Sequence, residues 1–205
     1  MKSLVYDKIR LGVAVLLYLC ATSWADAKVK LPALISDGMV LQREQSVKVW
    51  GTADAGENIT IEFQKKSYHA TADANGQWNI TLPPLKAGGP FLMQINDIKL
   101  NDILVGDVWL CSGQSNMELP VKRVMDMFSN EILNYNNEKI RHILIPQKYN
   151  FHAPQEEISA TSWKTLTQKN VMEFSALAYF FAKEMYERTG IPVGLINSSW
   201  GGTPV

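Results

Sequence analysis

The chain has 205 residues, 46% of them hydrophobic and 20% charged, the composition of a globular protein rather than a disordered one. Its length suits one large domain or two small ones. Twenty Lys and Arg balance twenty Asp and Glu, which excludes a basic field for nucleic acid and a block of like charge that would form a tail.

The N-terminus carries Lys2, Lys8 and Arg10, then the apolar run 11–20, then Ala25-Asp-Ala27. A basic start, a short apolar stretch and an Ala-x-Ala ending predict a signal peptide over 1–27, cleaved near Ala27. The apolar run falls short of the roughly 20 residues a membrane-spanning helix needs. The expected destination is secreted or periplasmic, or lysosomal in a eukaryotic host, with no membrane attachment after cleavage. Cys20 follows Leu19 rather than a small residue, which disfavours a lipoprotein. Cleavage would remove three basic and two acidic residues, leaving 17 against 18. It would also leave Cys111 as the one cysteine, so no internal disulfide is expected. Cys111 reads as a small buried hydrophobe.

Residues 28–103 read as an antiparallel β-sandwich. Short alternating runs lie at 47–50, 59–63, 67–71, 78–82 and 91–95, with turn residues between them and no helical period. Asn75-Gly76 predicts a hairpin, because a tight turn needs residues that tolerate positive φ. No catalytic pattern of Asp, Glu, His and Ser occurs here.

From 104 to 205 the texture is that of an α/β domain. The nearly unbroken apolar run 103–111 predicts a strand buried on both faces. A short helix is expected over 126–135, and another apolar run over 140–145 stops at Pro146. Residues 150–162 look irregular. The clearest helix spans 171–189, with Val171, Phe174, Ala178, Phe181 and Met185 as its apolar stripe. Asn170 and Glu173 stand in capping-box positions, and Gly190 and Pro192 end the helix. A short strand follows at 193–196. The polar loops 112–117 and 197–204 both follow strands, and in α/β sheets such loops gather in one crevice.

A serine hydroxyl needs a base to accept its proton and donors to hold the developing oxyanion. Gly113-Gln-Ser115 at a strand-to-loop corner would lift Ser115 clear of the sheet. It departs from the Gly-x-Ser-x-Gly elbow, since position 117 is Met. Gly201-Gly202 has no side chains to shield its N–H groups, so the pair can approach an anion.

The stretches "VWLCSGQSNMELPV" and "GIPVGLINSSWGGTPV" together resemble the sialate O-acetylesterase family, a branch of the SGNH (GDSL-like) hydrolases. "LPALISDGMVLQREQSVKVWGTADAGE" and "NGQWNITLPPLKAGGP" are similar to that family's β-rich opening. The resemblance implies the first part of a three-layer α/β/α catalytic domain beside a β-sandwich. It implies deacetylation of O-acetylated sialic acid or another acetylated glycan, without metal or organic cofactor. By position, Ser115 matches the nucleophile and its own N–H one oxyanion donor, while Gly201-Gly202 matches the block supplying a second. Gln114, Asn116 and Trp200 are candidate substrate contacts.

The family pattern also places an Asp-x-x-His late in the domain. His69, His142 and His152 are the three histidines, and none has Asp three residues before it. The expectation is therefore the N-terminal part of a longer protein, holding the nucleophile without its base and inactive or nearly so alone. Two other readings stand beside this one. One is a deacetylase of the acetylxylan type. The other is a carbohydrate-binding or structural β-sandwich without activity, with Trp50 and Trp78 as candidate sugar contacts, although their alternating positions suit core packing better.

Overall fold

The computed structural model describes residues 29–153, 158 and 161–202. The expected signal peptide, Cys20, Thr203 and Pro204 lie outside the described residues. The architecture is mixed α/β, with one eight-stranded sheet, a two-stranded ribbon and helices.

In the first half, β1 (Val40–Gln42), β2 (Val47–Thr52), β3 (Asn58–Phe63), β4 (Lys66–Thr71), β5 (Gln77–Leu82) and β6 (Gly88–Ile95) precede the long β7 (Ile98–Cys111). Strands β4, β3, β6 and β7 pair antiparallel in that order, and β2 pairs with β5 as the separate ribbon. Alternation explains the packing. Ile59, Ile61 and Phe63 point from β3 into a core shared with Met93, Ile95, Val49, Ile80 and Leu82. The ribbon thus lays its buried face on the larger sheet, as period-2 patterning allows.

The turn at 73–76 corrects the hairpin expectation. Its flanking strands belong to different sheets: β4 pairs β3, and β5 pairs β2. Asp73 Oδ1 accepts the N–H groups of Asn75 and Gln77, so an Asx-type turn carries the chain across between layers. Short hairpin turns lie elsewhere. Gln64-Lys65 joins β3 to β4 with both residues at positive φ, and Asn96-Asp97 joins β6 to β7. Neither has glycine at its tip, which is why composition missed them.

Strand β7 runs unbroken through the expected boundary at 103/104. Residues 98–105 pair antiparallel with β6, 104–106 pair parallel with β1, and 107–111 pair parallel with β10 (Val193–Asn197). Beyond β10 lie β8 (Asn137–Leu144), parallel to it, and β9 (Lys164–Leu166), antiparallel to β8. The helices are α1 (Ser115–Glu118), α2 (Met125–Leu133) and α3 (Ala176–Thr189). A second core joins Cys111, Ile132, Ile140 and Leu195 to Phe174, Tyr179 and Ala182.

Burial of β7 on both faces holds at 103–105 and fails further on, where Trp109 is 42% and Leu110 69% exposed. Helix α3 accounts for one side, with Phe181 meeting the Trp109 ring edge-on at 5.0 Å. Among the described residues nothing comparable covers Leu110. Helix α3 itself starts later than the periodicity predicts. Phe174 is extended, and Ser175 caps the helix by accepting the Ala178 N–H on its Oγ at 3.2 Å. Asn170 makes no side-chain cap; it precedes a 3-10 turn over Val171–Glu173. The break shifts the buried stripe to Ala178, Tyr179 and Ala182, leaving Phe181 partly exposed. Gly190 ends the helix in the left-handed region as expected.

A buried arginine crosses between the halves. Arg141, 4% exposed on β8, donates two hydrogen bonds to Asp102 on β7, at 2.6 and 3.0 Å. Such a fork-to-carboxylate pair fixes orientation as well as charge. Trp163 Nε1 donates to the Leu34 carbonyl at 3.1 Å and Lys139 Nζ to that of Gly89 at 3.0 Å. Trp78 is buried as the core reading expects, but Trp50 stands 36% exposed.

Candidate active site

Parallel register builds the site. Asn197, the last residue of β10, lies opposite Cys111 at the end of β7 and Leu144 at the end of β8. The segments that leave these strands therefore emerge side by side at one sheet edge. Pairing continues into the loops. Ser198 N–H donates to the Cys111 carbonyl, Trp200 N–H to that of Gly113, and Ile145 N–H to that of Asn197. The crevice expected between 112–117 and 197–204 is lined by Ser115 from the first and by Asn197 and Ser199 from the second. The third segment, 145–147, was not anticipated from sequence.

After Cys111 the chain turns through Gly113 at φ +144, a conformation L side chains rarely adopt. The single turn α1 follows, with Ser115 first and exposed. The N–H groups of Met117 and Glu118 both donate to the Gln114 carbonyl. Those of Ser115 and Asn116 make no backbone hydrogen bond among the described residues, as befits the start of a turn. Met117 occupies the place where the common elbow has glycine. It is half-buried against the second core, and its Sδ accepts the Ser175 hydroxyl at 3.6 Å. The Leu119 carbonyl accepts the Ala176 N–H at 2.8 Å. The corner is thus fastened to the start of α3.

Glu118 ties the loops together. Its Oε2 accepts the Gly201 N–H at 2.8 Å, and its Oε1 accepts Gln147 Nε2 at 2.7 Å. A Cβ on Gly201 would fall 2.3 Å from Glu118 Oε2 and 3.3 Å from Ser115 Cα, so a side chain there would push the Glu118 carboxylate aside. The Gly201 N–H is therefore engaged by a carboxylate, while Gly202, at φ +70, has open space where its Cβ would be. Asn197 and Ser199 are buried beneath, with Asn197 Oδ1 accepting both the N–H and the hydroxyl of Ser199.

A cavity of about 930 Å³ opens beside the Ser115 corner, lined by Ser115, Glu118, Lys122, Arg123, Gln147 and Ser199 among others. Gln114, Asn116 and Trp200 are not among its described lining residues. Gln114 and Asn116 are exposed on either side of Ser115. Trp200 lies against Tyr149, ring centroids 4.4 Å apart. Sequence reading missed Glu118, Lys122, Arg123 and Gln147. Glu118 sits inside the very block that singled out Ser115, but nothing local marks it as the partner of residue 201.

No described histidine contacts Ser115. His69 lies on β4 with Nδ1 3.1 Å from Thr60 Oγ1, and His152 is exposed. His142 is buried on β8, stacked on Phe174 at 4.4 Å, with Nε2 unpartnered. Burial, then the charge of Lys164, pushes its pKa down to about 4, so it is neutral at pH 7. Burial likewise raises the Cys111 thiol, and a buried protonated thiol is inert.

The family model for sialic acid-specific carbohydrate acetylesterases matches residues 105–205. The sialate O-acetylesterase of Homo sapiens is 31% identical over 95% of this chain, and that of Mus musculus 29% identical over 94%. The solved carbohydrate acetylesterase of Xanthomonas citri is 39% identical, with a TM-score of 0.81 over 86% of this chain and 41% of its own. The chain belongs to the sialate O-acetylesterase family. It spans about two fifths of the length of the curated relatives it matches. The comparisons favour neither the acetylxylan-type reading nor the inactive binding module.

Proposed function

We propose that this chain builds the nucleophile side of a serine esterase that removes O-acetyl groups from sialic acids, on an SGNH-type three-layer α/β/α domain. The observation that carries the reading is Ser115 at the edge where β7, β10 and β8 end together, on the wall of an open cavity. Ser115 Oγ attacks the acetyl carbonyl carbon, and the carbonyl electrons move to oxygen. The Ser115 N–H is one donor to that oxyanion. Gly202 suits the second better than Gly201, whose N–H is held by Glu118. Collapse releases the sugar hydroxyl and leaves an acetyl-serine that water hydrolyses. The proton acceptor is a group other than the described histidines. The 205-residue chain by itself is therefore expected to show little or no turnover.

Fluorophosphonate labelling and p-nitrophenyl acetate hydrolysis, each against Ser115→Ala, test this. In the full-length protein Ser115→Ala should remove labelling and cut kcat by on the order of 10⁴-fold or more. A full-length protein that neither labels nor turns over at Ser115 refutes the nucleophile. Clear Ser115-dependent turnover by the 205-residue chain refutes its inactivity. We also infer export through the N-terminal segment, which sequencing of the mature protein checks by a start at Lys28.

A further inference from the structure

Two cations stand on the wall of the Ser115 cavity without a committed partner. Lys122 and Arg123 belong to the 3-10 turn Val121–Arg123 that follows α1. Its backbone is pinned from two sides. The buried Val121 donates its N–H to the Phe174 carbonyl at 2.8 Å, and Arg123 N–H donates to that of Pro120 at 2.9 Å. Neither Lys122 nor Arg123 makes an ion pair or side-chain hydrogen bond among the described residues. The cavity's two carboxylates are engaged elsewhere. Glu118 receives Gly201 and Gln147, and Glu173 holds Lys164 at 2.5 Å. Lys122 lies near enough to Glu173 to help Lys164 keep its carboxyl below the usual range.

A neutral sugar gives no reason for two uncommitted cations beside the reacting ester, whereas a sugar acid does. We propose that Lys122 and Arg123 bind the carboxylate of the substrate and so select acetylated sugar acids over neutral acetylated glycans. This rests on the esterase reading above. Arginine offers paired N–H donors matched to a carboxylate, and lysine a mobile point charge. The pinned turn holds both at a fixed place relative to Ser115, so the acid group would set which acetyl ester reaches the nucleophile.

The test compares an O-acetylated sialoside with its C1 carboxamide, which keeps shape and loses charge, using full-length protein. Wild type should favour the acid in kcat/KM by about tenfold or more, as for a hydrogen-bonded charged group. The preference should shrink as salt rises. The double variant Lys122→Ala/Arg123→Ala should bring the ratio to about one, while Lys99→Ala at the opposite end of β7 from Cys111 should leave it unchanged. Equal rates on both substrates in wild type, or a preference that survives the double variant, overturns the proposal and leaves the esterase reading standing. Absence of Ser115-dependent deacetylation of either substrate overturns both. If the double variant does not fold, the wild-type ratio and its salt dependence decide.

Discussion

The two halves of this molecule use one strand to opposite ends. Along 98–105, β7 pairs antiparallel, and the chain returns through the short turn Asn96-Asp97. Along 107–111 it pairs parallel with β10, and the chain must cross over through the 81 residues 112–192 before it comes back. Antiparallel pairing uses up its connections as turns. Parallel pairing collects strand ends at one edge and leaves long segments there. The first half accordingly shows alternating burial and tight turns, and the second holds Ser115, Glu118, Gln147 and Gly201 together. The candidate site sits where the connections are long.

The junction offers the hardest test of that contrast. Gly106 lies between the two modes of pairing, and a Cβ there would sit 2.0 Å from the Pro192 carbonyl oxygen. Gly106→Val should destabilise by about 3 kcal/mol, the upper range for overpacking. It should separate unfolding transitions of the two halves that coincide in the wild type, read by urea titration with tryptophan fluorescence and circular dichroism.

His142 belongs to the second half alone. Its pKa is about 4 folded against an ordinary 6.5, so below pH 6.5 the unfolded chain binds the proton first. Its contribution to stability is complete above pH 6.5, is lost as pH falls toward 4, and is flat below. The shift corresponds to a loss on the order of 3 kcal/mol. Denaturant midpoints at pH 7, 5 and 4, compared between wild type and His142→Phe, should show this slope in wild type only.

Within the candidate site, Glu118 holds Gly201 and Gln147, so it is expected to position the loops rather than to react. Glu118→Ala should lower kcat by about ten- to a hundredfold through loosened geometry, with KM for a small ester little changed. Glu118→Gln keeps an oxygen for the Gly201 N–H and should recover most of it. Equal loss in both variants would argue for a charge role instead. The smallest expected effect is Ser175→Ala, which removes the α3 cap and should cost about 1 kcal/mol in denaturant unfolding.

Sequence legibility followed the same divide. The strands at 59–63 and 78–82 were readable because alternation is carried by near neighbours. The serine block was readable as a contiguous motif. The Asn75-Gly76 turn was misread because composition reports that a chain bends, not which sheet it enters next. The start of α3 was misread because Val171 and Phe174 fit the helical period while lying in a preceding turn that packs into the same core.

Family membership, the corner at Ser115 and most strand positions follow from the sequence by itself, since each rests on residues close together along the chain. Tertiary structure decided the rest. Glu118 meets Gly201 across 83 residues and Gln147 across 29, and Arg141 meets Asp102 across 39. Those partnerships exist because parallel register sets Cys111, Leu144 and Asn197 level at one edge. No local period encodes which distant strand lies alongside, so the cavity wall with its paired cations becomes visible only in the folded chain.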